Sequence, residues 1–258
     1  MEGKMRSLTK SMTLIVIAVL LSVVTGCWDD SNKATGDLGV LKYYLTTKYD
    51  ADGNLKTGIL PTNISHRIGA YSTGEEHLGR YDEIYHIVEP AENAVLINHD
   101  NTYDVPDFTI KVTKAGSYKI TTKNDEKVLD MITLKFEDPA SLEVITKVRV
   151  AYGDSFDVMP STGTINVEEG SQVAFIPYLK TTSGTRMIGD VKCKFSADPD
   201  WMVVPDVEDT YITEDTSIAF GYESTFYFIE EGTVTFNFKH TESGYTGSQK
   251  FDVTTISK

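Results

Sequence analysis

Cysteine is nearly missing from this chain of 258 residues: there are two, Cys27 and Cys193. No zinc-type Cys/His spacing accompanies them, so the fold must be held together by its core. An excess of base is missing too. Lys and Arg number 24 against 38 Asp and Glu, a formal charge of −14. That excludes nucleic acid, where phosphate neutralisation by cations supplies most of the affinity, and peripheral binding to anionic lipid. Helical periodicity is almost absent after residue 27. So are a nucleophile elbow, a phosphate-cradling glycine loop and a metalloprotease helix. The one long apolar run, Met12–Val24, has 13 residues. A comfortable membrane span needs about 20.

What is present begins at that run. Lys4, Arg6 and Lys10 precede it against a single acid, Glu2. A basic start, a short apolar core and a small residue before a break are the parts of a secretory signal. In "SVVTGCWDD", Val24-Thr25-Gly26-Cys27 resembles the lipobox of bacterial lipoproteins. The resemblance implies cleavage after Gly26 and a diacylglycerol on the Cys27 thiol. Acyl chains at about 0.8 kcal/mol per buried methylene would then hold the chain on a bilayer. Trp28-Asp29-Asp30 is similar to the acidic tract of surface-exported lipoproteins of the Bacteroidota, which implies the outer membrane and an outward-facing chain. Losing residues 1–26, with three basic residues and one acid, leaves about −16. It also leaves Cys193 without a partner. Alternation in "DVKCKFS" puts Cys193 on one strand face with Val191 and Phe195, as a buried small hydrophobe.

Short alternating runs rich in Thr, Tyr, Val, Ile and Phe, broken by Gly, Asp, Asn and Pro, predict an all-β fold. "FTIKVTKAGSYKITTK" (108–123) aligns without gaps on "STFYFIEEGTVTFNFK" (224–239), an offset of 116. Gly116 falls on Gly232, Ile110 on Phe226 and Ile120 on Phe236. Each segment reads as strand, tight glycine turn, strand, and each unit ends in one more strand, "MITLKFE" or "KFDVTTI". The offset is about the length of one immunoglobulin-like sandwich. The expected organisation is a signal peptide over 1–26, a lipidated N-terminus and tether over 27–36, and sandwiches over 37–138 and 139–258. The boundary falls at Asp138-Pro139-Ala140.

Val167 to Phe175, Phe195 to Pro199 and Gly232 to Phe236 resemble, in that order, the motifs of bacterial immunoglobulin-like domains of surface adhesins. Phe195 stands where that family usually has tryptophan, and the insert between Trp201 and Phe226 is long. Over Asp37–Ala94 the first half is atypical, so its assignment rests on the repeat.

Four histidines, His66, His77, His86 and His99, lie within 34 residues. Their spacing matches no local zinc motif, and they read as surface histidines on loops and strands. In "YDADGNL" (49–55), Asp50, Asp52 and Asn54 alternate like calcium ligands, but Gly53 comes too early and the twelfth position is Pro61. A hairpin turn at Asp52-Gly53 is the simpler reading. Gly69, Gly74 and Gly79 read as turn residues, since no helix follows them. The tract 198–215 holds seven carboxylates, among them Asp198, Asp200 and Asp206. It reads as a solvated acidic loop, with calcium between domains or acid–base catalysis as the sharper uses. Trp201 would stack on a sugar at a loop edge, though Met202, Val203 and Val204 beside it favour a core or interface role.

The expectation is therefore two tandem immunoglobulin-like β-sandwiches after a cleaved lipoprotein signal peptide. Its function would be non-enzymatic, as an adhesion or glycan- or protein-binding module. The binding candidates are Trp201, Asp198, Asp200 and Asp206. Its partners are the membrane, through the lipid, and a glycan or an envelope or host protein. No cofactor is expected, calcium being the one the acidic tract would suit. A structural subunit or spacer of an envelope assembly and a carboxylate-dependent hydrolase using Asp200 and Asp206 are the other readings.

Overall fold

Strand by strand, the apolar residues that alternate in the sequence alternate in burial. In the segment Gly232–His240, Val234, Phe236 and Phe238 are buried, while Asn237 and Lys239 face water. In Leu41–Leu45, Leu41, Tyr43 and Leu45 are buried and Lys42 and Tyr44 lie on the opposite face. The computed structural model describes residues 33–46, 54–74, 83–99, 106–125, 127–151, 153, 155–160, 162–189, 191–205, 218–220 and 224–255. The expected signal segment and Cys27 lie outside them. Residues 32–258 form one compact unit, all-β apart from short turns among the described residues.

The first sandwich is built from β1 (Ala34–Thr35), β2 (Leu41–Leu45), β3 (Ile59–Pro61), β4 (Ser65–Ser72), β5 (Ile84–Glu89), β6 (Ala94–Asn98), β7 (Asp107–Val112), β8 (Gly116–Asn124) and β9 (Lys127–Glu137). One sheet runs β1-β2-β4-β7-β6 and the facing one β3-β9-β8-β5. The second is built from β10 (Ser141–Arg149), β11 (Asp157–Met159), β12 (Thr164–Glu168), β13 (Gln172–Lys180), β14 (Cys193–Asp198), β15 (Val203–Pro205), β16 (Ile218–Phe220), β17 (Ser224–Phe228), β18 (Gly232–His240) and β19 (Thr246–Thr254). Its sheets run β11-β10-β13-β17-β15 and β12-β19-β18-β14-β16.

The strand order β2-β4-β7-β6 corresponds to β10-β13-β17-β15 and β3-β9-β8-β5 to β12-β19-β18-β14, so the internal repeat extends well beyond the aligned segments; β16 has no counterpart, and β1 precedes β2 where β11 follows β10. In each sandwich a short strand pairs in parallel with the last one: β3 on β9, and β12 on β19. The aligned strands β7 and β8 lie in opposite sheets, as do β17 and β18. Their glycine turns are therefore crossings between sheets and not hairpins. Gly116 and Gly232 occupy equivalent corners with φ of 157° and 135°, conformations that L side chains rarely adopt. At the first corner Tyr118 Oη donates to the Lys114 carbonyl at 2.8 Å, a tyrosine corner of the kind that marks Greek-key sandwiches.

Each sandwich has its own core. Leu41, Tyr43, Phe108, Ile120, Ile132 and Phe136 belong to the first. In the second, Phe175 sits amid Phe195, Phe226, Phe236, Phe238 and Phe251, with ring centroids 4.8–6.2 Å away. Cys193 shares the inward face with Val191 and Phe195, and burial pushes its thiol up to about 12, so it is inert.

Three residues, Asp138 to Ala140, separate β9 from β10. The sandwiches nevertheless exchange core residues. Ile64, from the β3–β4 connection, packs into the second core, and Ile188, from the β13–β14 connection, packs into the first. The Ile188 amide donates to the Ile59 carbonyl at 2.8 Å, and Tyr245 Oη donates to the Pro139 carbonyl at 2.7 Å. Gly189, with φ of 124°, has no room for a side chain: a Cβ there would lie 2.8 Å from the His66 ring.

Candidate functional site

Two sequence readings change on the structure. His66 and His86 are buried, not at the surface: a ring nitrogen of His66 lies 3.0 Å from the Pro61 carbonyl, and Nδ1 of His86 lies 3.0 Å from Thr122 Oγ1. They do not converge, and no group of three or more His, Cys, Asp or Glu is placed for a metal among the described residues. The turn expected at Asp52-Gly53 lies outside the described residues; β2 and β3, before and after it, belong to different sheets. Asp50 and Asp52 lie outside the described residues, as do His77 and Gly79; Asn54 closes a local turn by accepting from Thr57 and Gly58. Gly69 is in the middle of β4 and not in a turn. The Tyr44 ring lies over it, where a Cβ would come within 2.7 Å of Cζ.

Asp198, Asp200 and Trp201 fall at one end of the second sandwich. β10 runs from Ser141, opposite Lys180, to Arg149, opposite Gln172. Ser141 follows closely on β9, so the Arg149 end points away from the first sandwich. Four segments meet there. The Gly170 amide donates to the Phe228 carbonyl at 2.8 Å, Phe228 donates to Ser171 at 3.1 Å, and Ile229 donates to Met202 at 2.9 Å. A Cβ on Gly170 would lie 3.5 Å from that of Ala151, which brings the segment after β10 into the same tip.

Asp198 ends β14, and Pro199 leads into a 3-10 turn, Asp200–Met202. A 3-10 turn has about three residues per revolution, so neighbours point roughly 120° apart. Met202 is drawn into the core, with its Cε 3.3 Å from where a Gly232 Cβ would stand. Trp201 is thereby turned outward and is 60% exposed. The core role suggested by its apolar neighbours belongs to Met202 instead. Val150 and Ile229 share the tip at 55% and 41% exposure. Asp206 and the rest of the acidic tract through Asp215 lie outside the described residues.

Around the apolar residues stand Glu169, Asp200, Glu230 and Glu231; the last three are exposed. None of the tip segments 150–156, 169–171, 199–202 and 229–231 contains Lys or Arg. Arg149, on the strand below, holds its guanidinium 5.2 Å from the Phe156 ring centroid. Sequence reading missed Val150 and Ile229. An isoleucine directly ahead of Glu230-Glu231-Gly232 was the available signal, since an apolar side chain entering a tight polar turn has nowhere to bury.

Other concavities lie along the strands and at the junction of the sandwiches. One of about 310 Å³ lies between β10 and β19, over Phe238 and Gly247. Another, of about 270 Å³, lies at the junction between Asp138 and Glu242, where Thr62 Oγ1 donates to Asp138 at 2.5 Å. Trp201 lines neither of them.

No family model matches the chain, and no curated protein matches it. Solved structures similar to it include the Escherichia coli adhesin FdeC, at 8% identity and TM-score 0.30, covering 86% of this chain and 65% of that one. Domains 5–6 of the S-layer protein SbsC match at 11% and 0.31, covering 81% and 97%. The Yersinia pseudotuberculosis adhesin InvE matches at 12% and 0.28, covering 84% and 61%. The chain thus spans less than two thirds of either adhesin structure, and likeness at this level does not say what it binds.

Proposed function

We propose that the chain is a surface lipoprotein, held to the outer membrane by lipid on Cys27, and a non-enzymatic adhesion or glycan- or protein-binding module. The contact surface is the tip of the second sandwich. The observation that carries this reading is the exposure of Trp201, Ile229 and Val150 together on the end remote from the first sandwich. Large exposed apolar residues at one end of a fold suit an interaction surface, and tryptophan is over-represented among those that dominate binding. The basic start, apolar run and lipobox-like junction support the anchor.

The test is binding of the purified protein to arrays of glycans and of envelope and host-matrix proteins, comparing wild type with Trp201→Ala. Binding lost in the variant is the expected result. Binding that survives Trp201→Ala, or none at all, would remove the tip from consideration. For the anchor, Cys27→Ser should abolish labelling by radioactive palmitate and release the protein from membranes. A spacer role is the second reading, favoured by the exchange of Ile64 and Ile188 that locks the sandwiches together. It requires one stable envelope partner in cross-linking on cells.

A further inference from the structure

We propose that the tip of the second sandwich takes a cationic polypeptide, a lysine- or arginine-bearing segment of a partner protein. This rests on the reading of the tip as the contact surface and specifies what that surface selects. The first reason is shape. Small ligands and short sugars are held in concave sites that bury most of their surface. Trp201 stands on a turn at the end of a sandwich and lines none of the described concavities. A protruding ring of this kind buries fully only against a partner large enough to close around it.

The second reason is charge. Glu169, Asp200, Glu230 and Glu231 surround the apolar residues with no cation on the same segments. On the first sandwich some acids do have cationic neighbours: Lys56 reaches Asp37 at 2.9 Å, Arg67 reaches Asp107 at 2.5 Å and Lys135 reaches Glu137 at 2.6 Å. Among the described residues Glu169, Asp200, Glu230 and Glu231 make no ion pair, so a guest can supply the cation. A Lys or Arg side chain can lie on the face of Trp201 and extend its charged end to the carboxylates, while its aliphatic stem covers Ile229. A strongly acidic molecule also draws such a partner from a distance, which raises the rate of encounter. An uncharged glycan would leave all four carboxylates uncompensated.

The test uses tryptophan fluorescence. Trp28 and Trp201 are the two tryptophans in the chain, so a Trp28→Phe background reports on Trp201 alone. The probes are a twelve-residue peptide of alternating Lys and Leu, the same peptide with its lysines acetylated, and chitohexaose. The cationic peptide is expected to perturb Trp201 and to weaken as salt rises. Followed by calorimetry, Trp201→Ala should weaken its binding about tenfold or more. The double variant Glu230→Gln, Glu231→Gln should weaken it by about threefold to tenfold. Glu89→Gln, Glu92→Gln removes the same charge from exposed positions of the first sandwich and should change binding by less than about twofold. Equal weakening by the two double variants would mean attraction to the molecule as a whole, and the proposal fails. If chitohexaose or the acetylated peptide binds as tightly, in a Trp201-dependent way, the cationic partner is wrong and the tip remains the contact surface. If no probe perturbs Trp201 and array binding survives Trp201→Ala, both fall.

Discussion

His86 shows how a single residue departs from what its letter suggests. Its ring lies 4.4 Å from that of Phe108, Nδ1 faces Thr122 Oγ1, which in turn meets Tyr43 Oη at 2.7 Å, and Nε2 has no hydrogen-bond partner among the described residues. Burial depresses its pKa from 6.5 to about 3, and burial likewise lowers that of His240. The folded protein thus keeps the His86 ring neutral where the unfolded chain is protonated. Unfolding takes up protons, and stability falls as pH drops from about 6.5 toward 3. Between pH 6.5 and 5 the loss is on the order of 1–2 kcal/mol for His86. Urea unfolding measured from pH 7.5 to 5 should show this decline, and His86→Phe should flatten it by about one proton. An unchanged slope in the variant would sink the assignment. The sequence could not show any of this. A histidine between isoleucines and tyrosines on a strand reads the same whether the facing sheet covers it or water does.

Among the elements, alternation was the readable part. The strands of the aligned repeat, the inward face of Cys193 and the sandwich class follow from period-two patterning and from glycine at two equivalent corners. Pairing was less readable, since a strand's partners depend on which sheet it enters. Nothing in the residues of β2 and β3 says that these consecutive strands enter different sheets. In the first half a buried acid orders the start of the sandwich. Asp130 of β9 accepts four backbone N–H groups: Leu38 and Met131 on Oδ1 at 2.8 and 2.7 Å, Val40 and Leu41 on Oδ2 at 2.8 and 2.7 Å. Gly36 is bare because its Cβ would run into that carboxylate. Asp130 therefore clamps the β1–β2 connection to the opposite sheet. Asn at this position would turn an amide N–H₂ toward donors, so Asp130→Asn should cost on the order of 3 kcal/mol by denaturant unfolding. Loss of hydrogen-exchange protection should concentrate in β1 and β2. A cost below about 1 kcal/mol would show that the clamp is dispensable.

For the whole molecule, the candidate tip was half readable: Trp201 and Asp200 were visible as types, while Val150 and Ile229 needed the fold to bring them alongside. The join between sandwiches was not readable at all, since Ile64 and Ile188 are 124 residues apart and each serves the other's core. Truncating one should therefore be felt across the boundary. Ile188→Ala should destabilise the protein by about 2–4 kcal/mol. Hydrogen exchange followed by mass spectrometry should show β9, in the first sandwich, losing protection along with the second. Loss of protection confined to residues 139–258 would count against a shared unit.

That exchange also sets an order of events during synthesis. A chain emerges from its N-terminus, and the last strand of the first sandwich is complete at Glu137. Its core, however, still waits for Ile188, about fifty residues later. The leading half must stay one side chain short of closure until the trailing half has begun to form. Its final packing is thereby timed by the emergence of its neighbour.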